Sequence, residues 1–363
     1  MIGTEPIRRL VELALLSAYI KDEKPLSMLI IASPEHGKTE TLLEFRGNQK
    51  VDFLSDATPY GISTQLLPKI QMDRTNHIIF PDFLKVVNRG RRITDEILSL
   101  LNIIVEDGLT GSIFTKNINF VHDEKEPRKY AGVIIAITPD ALYSRKEKFK
   151  KFGFFSRLLP FYFHYTEEDK ARIHEIIKHG SGKEETTMLV FPDKDVDIQL
   201  PMEIADRLDP LVELLQPVLG SFTGFRLRKQ LQVLLKTNAL LNKRDTVSNE
   251  DLKDVYCFMP FLFNPLGGDE CVWRILRMLP STYTDIVEGL KSLYSESTIN
   301  RRLQFLQNSK LITQNNNQYT TTINEVCIIS ETHQNESEVQ NPELKTQDNK
   351  DKEVENATGL PQT

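Results

Sequence analysis

The chain has 363 residues, 40% of them hydrophobic and 26% charged, which allows two or three domains with a sizeable core and matches ordinary soluble composition. No apolar run approaches the roughly 20 residues that span a bilayer, and the N-terminus lacks the charged–apolar–small order of a signal peptide. Three scattered cysteines (Cys257, Cys271, Cys327) without CxxC spacing argue against structural disulfides and a zinc site, so a cytoplasmic protein with no membrane partner is expected.

Ile7 to Ile20 carries apolar residues at helical spacing. Leu26-Ser27-Met28-Leu29-Ile30-Ile31 then reads as a buried strand, and Glu40 to Phe45 as the start of a helix. Between them lies Ala32-Ser33-Pro34-Glu35-His36-Gly37-Lys38-Thr39. A tight loop ending in Gly-Lys-Thr at a helix start is a phosphate cradle. Backbone N–H groups and the helix N-terminus face the anion, the lysine reaches the outer phosphates, and the threonine hydroxyl takes a Mg²⁺ position. Candidate nucleotide contacts are therefore Pro34, Glu35, His36, Gly37, Lys38, Thr39 and Glu40, with Thr39 also on the metal. One element departs from G-x-x-x-x-G-K-[ST]: Ala32 replaces the first glycine.

Val51 to Leu54 reads as a second strand and Asn76 to Asp82 as a third, ending on an acid placed to join the Mg²⁺ shell. Thr94 to Glu106 is a helix with Ile97, Leu100, Leu101 and Ile104 on one side, followed by a β-prone hairpin over Thr110 to Val121. Ala131 to Thr138 is a fourth strand, continuously apolar as when both sheet faces are covered. Strands alternating with helices predict a parallel α/β sheet. Two basic runs, Arg89-Gly90-Arg91-Arg92 and Arg145 to Lys151, read either as solvated faces or as the lining of a DNA path.

From Glu167 the pattern turns helical, over 167–178, 202–216, 225–242 and 249–262. Pro265 to Gly268 reads as a linker, and 269–326 as three short helices with a Gln/Asn-rich turn at Gln314 to Gln318. Residues 331–363 hold eight acids against three lysines and almost nothing apolar, so most of the formal charge of −6 is expected on a disordered tail.

The order of these features resembles the AAA+ ATPases, in the branch of minichromosome-maintenance helicases, MoxR-type ATPases and bacterial enhancer-binding activators. The likeness covers residues 7 to about 262. It implies an α/β P-loop NTPase core with a parallel sheet flanked by helices (1–166), a helical lid (167–264), ATP and Mg²⁺. Ile78 to Asp82 looks like the Walker B strand, and Ile134 to Pro139 is similar to the sensor 1 strand, with Thr138 contacting the γ-phosphate or attacking water. Phe154-Phe155-Ser156-Arg157-Leu158 resembles an arginine-finger segment, which implies that Arg157 acts on a neighbouring subunit's nucleotide. Gly224-Phe225-Arg226 looks like the start of the sensor 2 helix, with Arg226 the candidate and Arg228 the alternative. These roles imply a homo-oligomer, such as a ring. Where the family usually carries a Walker B glutamate, this chain has Phe83, with Glu35 and Asp140 as substitute acids.

Residues 265–326 resemble a winged-helix domain, with Trp273, Ile275 and Leu276 in its core. Its recognition helix would present Thr298, Asn300, Arg301, Arg302 and Gln304 to duplex DNA, although such modules also bind proteins. The tail spans 327–363. Together the motifs predict an ATP-binding, DNA-associated ATPase of replication, recombination or mobile-element maintenance. The alternative is a nucleotide-sensing regulator or adaptor with little turnover.

Overall fold

The computed structural model describes residues 3–110, 113–115, 118–120, 127–165, 167–179, 186–218, 224–262, 270–308 and 311–321. Five parallel strands form the main sheet: β1 (Met28–Ala32), β2 (Val51–Phe53), β3 (His77–Phe80), β6 (Gly132–Ile137) and β7 (Leu159–Phe163), in the order β2-β3-β6-β1-β7. The strands β4 (Ile113–Thr115) and β5 (Ile118–Phe120) form a separate antiparallel hairpin within the segment expected for one.

Alternation along each central strand divides its side chains between two cores. Met28, Ile30, Ile79, Ile134, Ala136, Phe161 and Phe163 face one side, where helix Glu5–Leu16 and the helices from 202 onward cover them. Leu29, Ile31, Ile78, Phe80, Val133, Ile135 and Ile137 face the other, under helix Arg91–Asn102 and the segment 62–70. Both faces are therefore dry, which is why β1 and β6 are apolar at every position. Pro160, which lacks an N–H, is accommodated because β7 is an edge strand.

Helices occupy 167–179 and much of 202–218 and 225–262 as the pattern predicts, with two differences. The apolar run 202–216 is broken into Met202–Asp206 and Asp209–Val218, and 249–262 into Asn249–Cys257 and Met259–Leu262. Pro210 and Pro260 each sit second in the later helix, where a residue without an N–H is tolerated and a continuous helix is not. Helix Phe225–Leu241 packs along helix Glu5–Leu16, and Arg9 reaches Asn238 at 2.9 Å.

Helices Glu270–Met278, Tyr283–Leu290 and Glu296–Asn308 bury Ile275, Ile286, Ile299, Leu303 and Leu306 together. A small antiparallel sheet of order β8-β10-β9 accompanies them, built from β8 (Ser281–Thr282), β9 (Ile312–Asn315) and β10 (Gln318–Thr321). Asn316 and Asn317, both at positive φ, form the tight turn between β9 and β10. The first hydrophobic core continues from the sheet into these helices. The linker expected at 265–268 and the tail from 327 lie outside the described residues, as does the side chain of Trp273.

Candidate functional site

The carboxyl ends of β1, β3 and β6 bring three of the motifs together. Beyond β1 the loop turns through two left-handed residues, Glu35 at φ 64° and Gly37 at φ 67°. A left-handed conformation costs a non-glycine residue about 1–2 kcal/mol, and alternating handedness aims successive N–H groups into one concavity. Gly37 leads directly into helix Lys38–Leu43, whose first-turn N–H groups have no capping side chain. That helix is short, ending in turns up to Gly47.

Lys38 folds back over the loop, its Nζ donating to Ser33 O at 3.1 Å. Burial pulls its pKa down, and the negative charge of Asp82 works in the opposite direction. The Thr39 hydroxyl donates to Pro81 O at 3.1 Å, and Asp82 is exposed with Oδ1 accepting from Leu84 N at 3.0 Å. Register places Thr138 next to the loop, because Ile31 pairs with Ile137. Thr138 caps helix Pro139–Tyr143 by accepting from Ala141 N at 3.4 Å. The loop, Lys38, Thr39, Asp82 and Thr138 thus share the sheet edge where open α/β sheets bind ligands.

Thr39 and Asp82 offer hard oxygen donors, the chemistry Mg²⁺ prefers with phosphate and water oxygens completing the shell. Among the described residues no cluster of three or more His, Cys, Asp or Glu side chains could hold a metal by itself. A cation at this edge would therefore be shared with an anionic ligand.

Pro34, Glu35 and Glu40 are exposed around the loop. His36 does not project into it: its ring stacks on Tyr165 at 5.3 Å, stands edge-on to His164 at 5.9 Å and contacts Pro34 O at 2.9 Å. The residues just past β7 therefore brace the loop, a contact the sequence spacing does not reveal. Burial first, and then the electrostatic effect of His36, Arg277, Arg274 and Lys170, pushes His164 down to about 4. Arg277, from helix Glu270–Met278, donates to His164 O at 3.4 Å and lies 5.4 Å over the Phe261 ring.

Phe83 is fully buried. Its ring meets Phe80 at 5.2 Å and Phe154 at 6.3 Å, while its N–H donates to Ala136 O at 3.0 Å. The position after Asp82 thus belongs to the core rather than to the loop's surroundings. Glu35 and Asp140, the two substitute acids, are both exposed.

Arg157 and Arg226 lie elsewhere. Arg157 lies two residues before β7, and Arg226 Nη1 donates to Ser156 Oγ at 3.0 Å, so both stand at the amino end of a parallel sheet. The loop lies at the opposite end, roughly 17 Å away over a five-residue strand at about 3.3 Å per residue. Arg157 Nη1 donates to Gly153 O at 2.7 Å and Phe152 O at 3.3 Å, and its Nε is buried without a hydrogen-bond partner. Burial and then Arg226 lower the Arg157 pKa, against the pull of Glu106 and Asp107. Glu106 approaches Arg226 at 3.6 Å and Lys24 at 3.5 Å. The alternative, Arg228, is ion-paired with Asp209. The fold thus places Arg226 away from the loop of its own subunit.

On helix Glu296–Asn308, Asn300, Arg301 and Gln304 are exposed, whereas Thr298 and Arg302 are half-buried. Thr298 Oγ1 shares a 2.9 Å hydrogen bond with Ser295. Arg301 and Gln304 lie one turn apart on the exposed side of this helix. Phe305 on the same helix is an exposed large apolar side chain.

Among the described residues no helix is long and apolar enough to cross a membrane. No family model matches the chain, and no curated protein matches it. Similar solved structures include a candidate ATPase from Cytophaga hutchinsonii ATCC 33406, which is 11% identical with a TM-score of 0.42 over 84% of this chain and 90% of that one.

Proposed function

We propose that this protein binds ATP with Mg²⁺ at the Ala32–Thr39 loop and belongs with the AAA+ ATPases in its mode of action. The observation that carries the reading is the convergence of Lys38, Thr39 and Asp82 beside a left-handed Gly37, at the carboxyl edge of a parallel sheet. Lys38 would meet the outer phosphates, Thr39 and Asp82 the ion, and Thr138 the γ-phosphate or water. Arg157 and Arg226, at the far end of the sheet, would serve the nucleotide of a neighbouring copy, making assembly a condition of turnover. The C-terminal helices and small sheet would act as a winged helix on duplex DNA through Arg301 and Gln304.

Isothermal titration with ATP and Mg²⁺, with particle mass measured alongside, tests this reading. Wild type should bind ATP and grow in mass, and Lys38→Ala should do neither. A wild type indifferent to ATP overturns it.

Phe83 favours a second reading, a nucleotide-sensing regulator with little turnover. A buried phenylalanine cannot take a proton from water, and general-base catalysis usually contributes about two to four orders of magnitude. Brisk steady-state ATP hydrolysis by the wild type would exclude it.

A further inference from the structure

The two basic runs, distant in sequence, lie side by side, joined by contacts of Arg145 and Lys148. Arg89 to Arg92 follow Asp82 through helix Leu84–Val87, and helix Lys146–Lys151 follows Thr138 through helix Pro139–Tyr143. Because β3 and β6 are neighbours, both segments leave the same sheet edge side by side. Arg145 joins them: Nε donates to Val87 O at 3.3 Å and the guanidinium also bonds Asn88 Oδ1. Lys148 Nζ lies 2.8 Å from Asp95 and 3.5 Å from Arg91 O.

Residues 145–151 hold five cations and one acid, and 89–92 hold three arginines and no acid, in a chain whose formal charge is −6. Lys85 adds an exposed cation on the connecting helix. Arg91 and Arg92 are 85% and 80% exposed, and a Cβ built on Gly90 beside them would meet nothing within 4 Å. The acids facing the two arginines are Asp95 at 4.0 Å and Glu96 at 3.0 Å, both one helical turn on. Such exposed pairs contribute only a few tenths of a kcal/mol, so phosphate oxygens can replace the carboxylates at small cost.

We propose that this surface binds the phosphodiester backbone of duplex nucleic acid without regard to sequence. Arginines and lysines are the groups that grip phosphates. Both arms of the surface begin beside the proposed ion and γ-phosphate contacts, Asp82 and Thr138, so a backbone held here lies next to the nucleotide. The inference adds a contact on the ATPase core to the one proposed for the C-terminal helix.

The test is fluorescence anisotropy of a labelled duplex DNA titrated with the full chain, from about 50 to 200 mM salt. Arg91→Ala/Arg92→Ala should weaken binding about tenfold and lower the salt slope by about two. Arg91→Lys/Arg92→Lys should retain most of both. ATP affinity of the alanine variant should equal that of wild type, which keeps this result separate from failure of the nucleotide reading. Arg301→Ala should add its own loss independently. An unchanged affinity and slope in the alanine variant overturns the proposal. So does polyglutamate displacing the labelled duplex as well as unlabelled duplex DNA does at equal charge, because the surface would then be one for acidic proteins.

Discussion

The Thr39 hydroxyl donates to the carbonyl of Pro81 at 3.1 Å, fastening the first turn of the loop helix to the residue before Asp82. A hydroxyl has one proton to donate and two lone pairs to offer, so this bond leaves the oxygen able to ligate a cation. Thr39→Ala removes both functions and Thr39→Ser neither. Calorimetric titrations with and without Mg²⁺ should show the metal's contribution to ATP affinity falling about tenfold or more in the alanine variant and surviving in serine. Equal Mg²⁺ dependence in all three proteins would remove Thr39 from the metal site.

Phe83→Glu would be the obvious attempt to supply a missing base, but its fully buried position predicts a different result. The ring packs among Phe80, Phe149 and Phe154, so a carboxylate there is desolvated without a partner. Phe83→Ala should lower unfolding free energy by about 3–5 kcal/mol, and Phe83→Glu by at least as much. Neither should gain ATPase activity. Urea unfolding reads the loss, with exposed Asp82→Asn as a comparison that keeps near wild-type stability.

The placement of Arg226 predicts complementation between subunits. Arg226→Ala keeps its own phosphate loop, and Lys38→Ala keeps its own arginine. Each should turn over ATP about a hundredfold or more slowly when alone, while ATP affinity of the Arg226→Ala protein stays near that of wild type. Mixing them should restore part of the steady-state rate, because the arginine of one copy can complete the loop of the other. Mixtures no faster than the average of the two variants would place Arg226 on its own subunit's nucleotide after all.

Local residue chemistry made much of the sheet and loop legible. β1 and β6 are apolar without interruption because both faces are covered, and Gly-Lys-Thr after such a strand marks the turn into helix Lys38–Leu43. Asp82 was visible as an acid ending an apolar strand. Other features depend on contacts between remote segments. Nothing in the spacing links Glu106 to Arg226, or His36 to Tyr165, since such pairs exist only after β7 is laid beside β1. The helix breaks before Pro210 and Pro260 were masked because apolar residues continue across them, both halves burying the same side.

His77 provides a pH test of the sheet itself. Its ring is buried between the ends of β3 and β6: Nε2 lies 3.2 Å from Leu26 O, and a Cβ at Gly132 would fall 2.4 Å from that nitrogen. Burial pushes the imidazole down to about 4, only partly offset by the Leu26 carbonyl. In the unfolded chain the same group titrates near about 6.5. Between those values the unfolded state binds more protons, so stability rises with pH across the window. The contribution is complete above about 6.5 and is lost as pH falls toward 4, to a limit of about 3 kcal/mol at 1.36 kcal/mol per unit. His77→Gln cannot charge, so its penalty relative to wild type should shrink steadily as urea unfolding is repeated from neutral pH to pH near 4.5. His164, whose pKa is lowered similarly, is present in both proteins and cancels in that difference. Parallel stability curves for wild type and His77→Gln would show that His77 is protonated in the native sheet at no cost, contrary to its enclosed position.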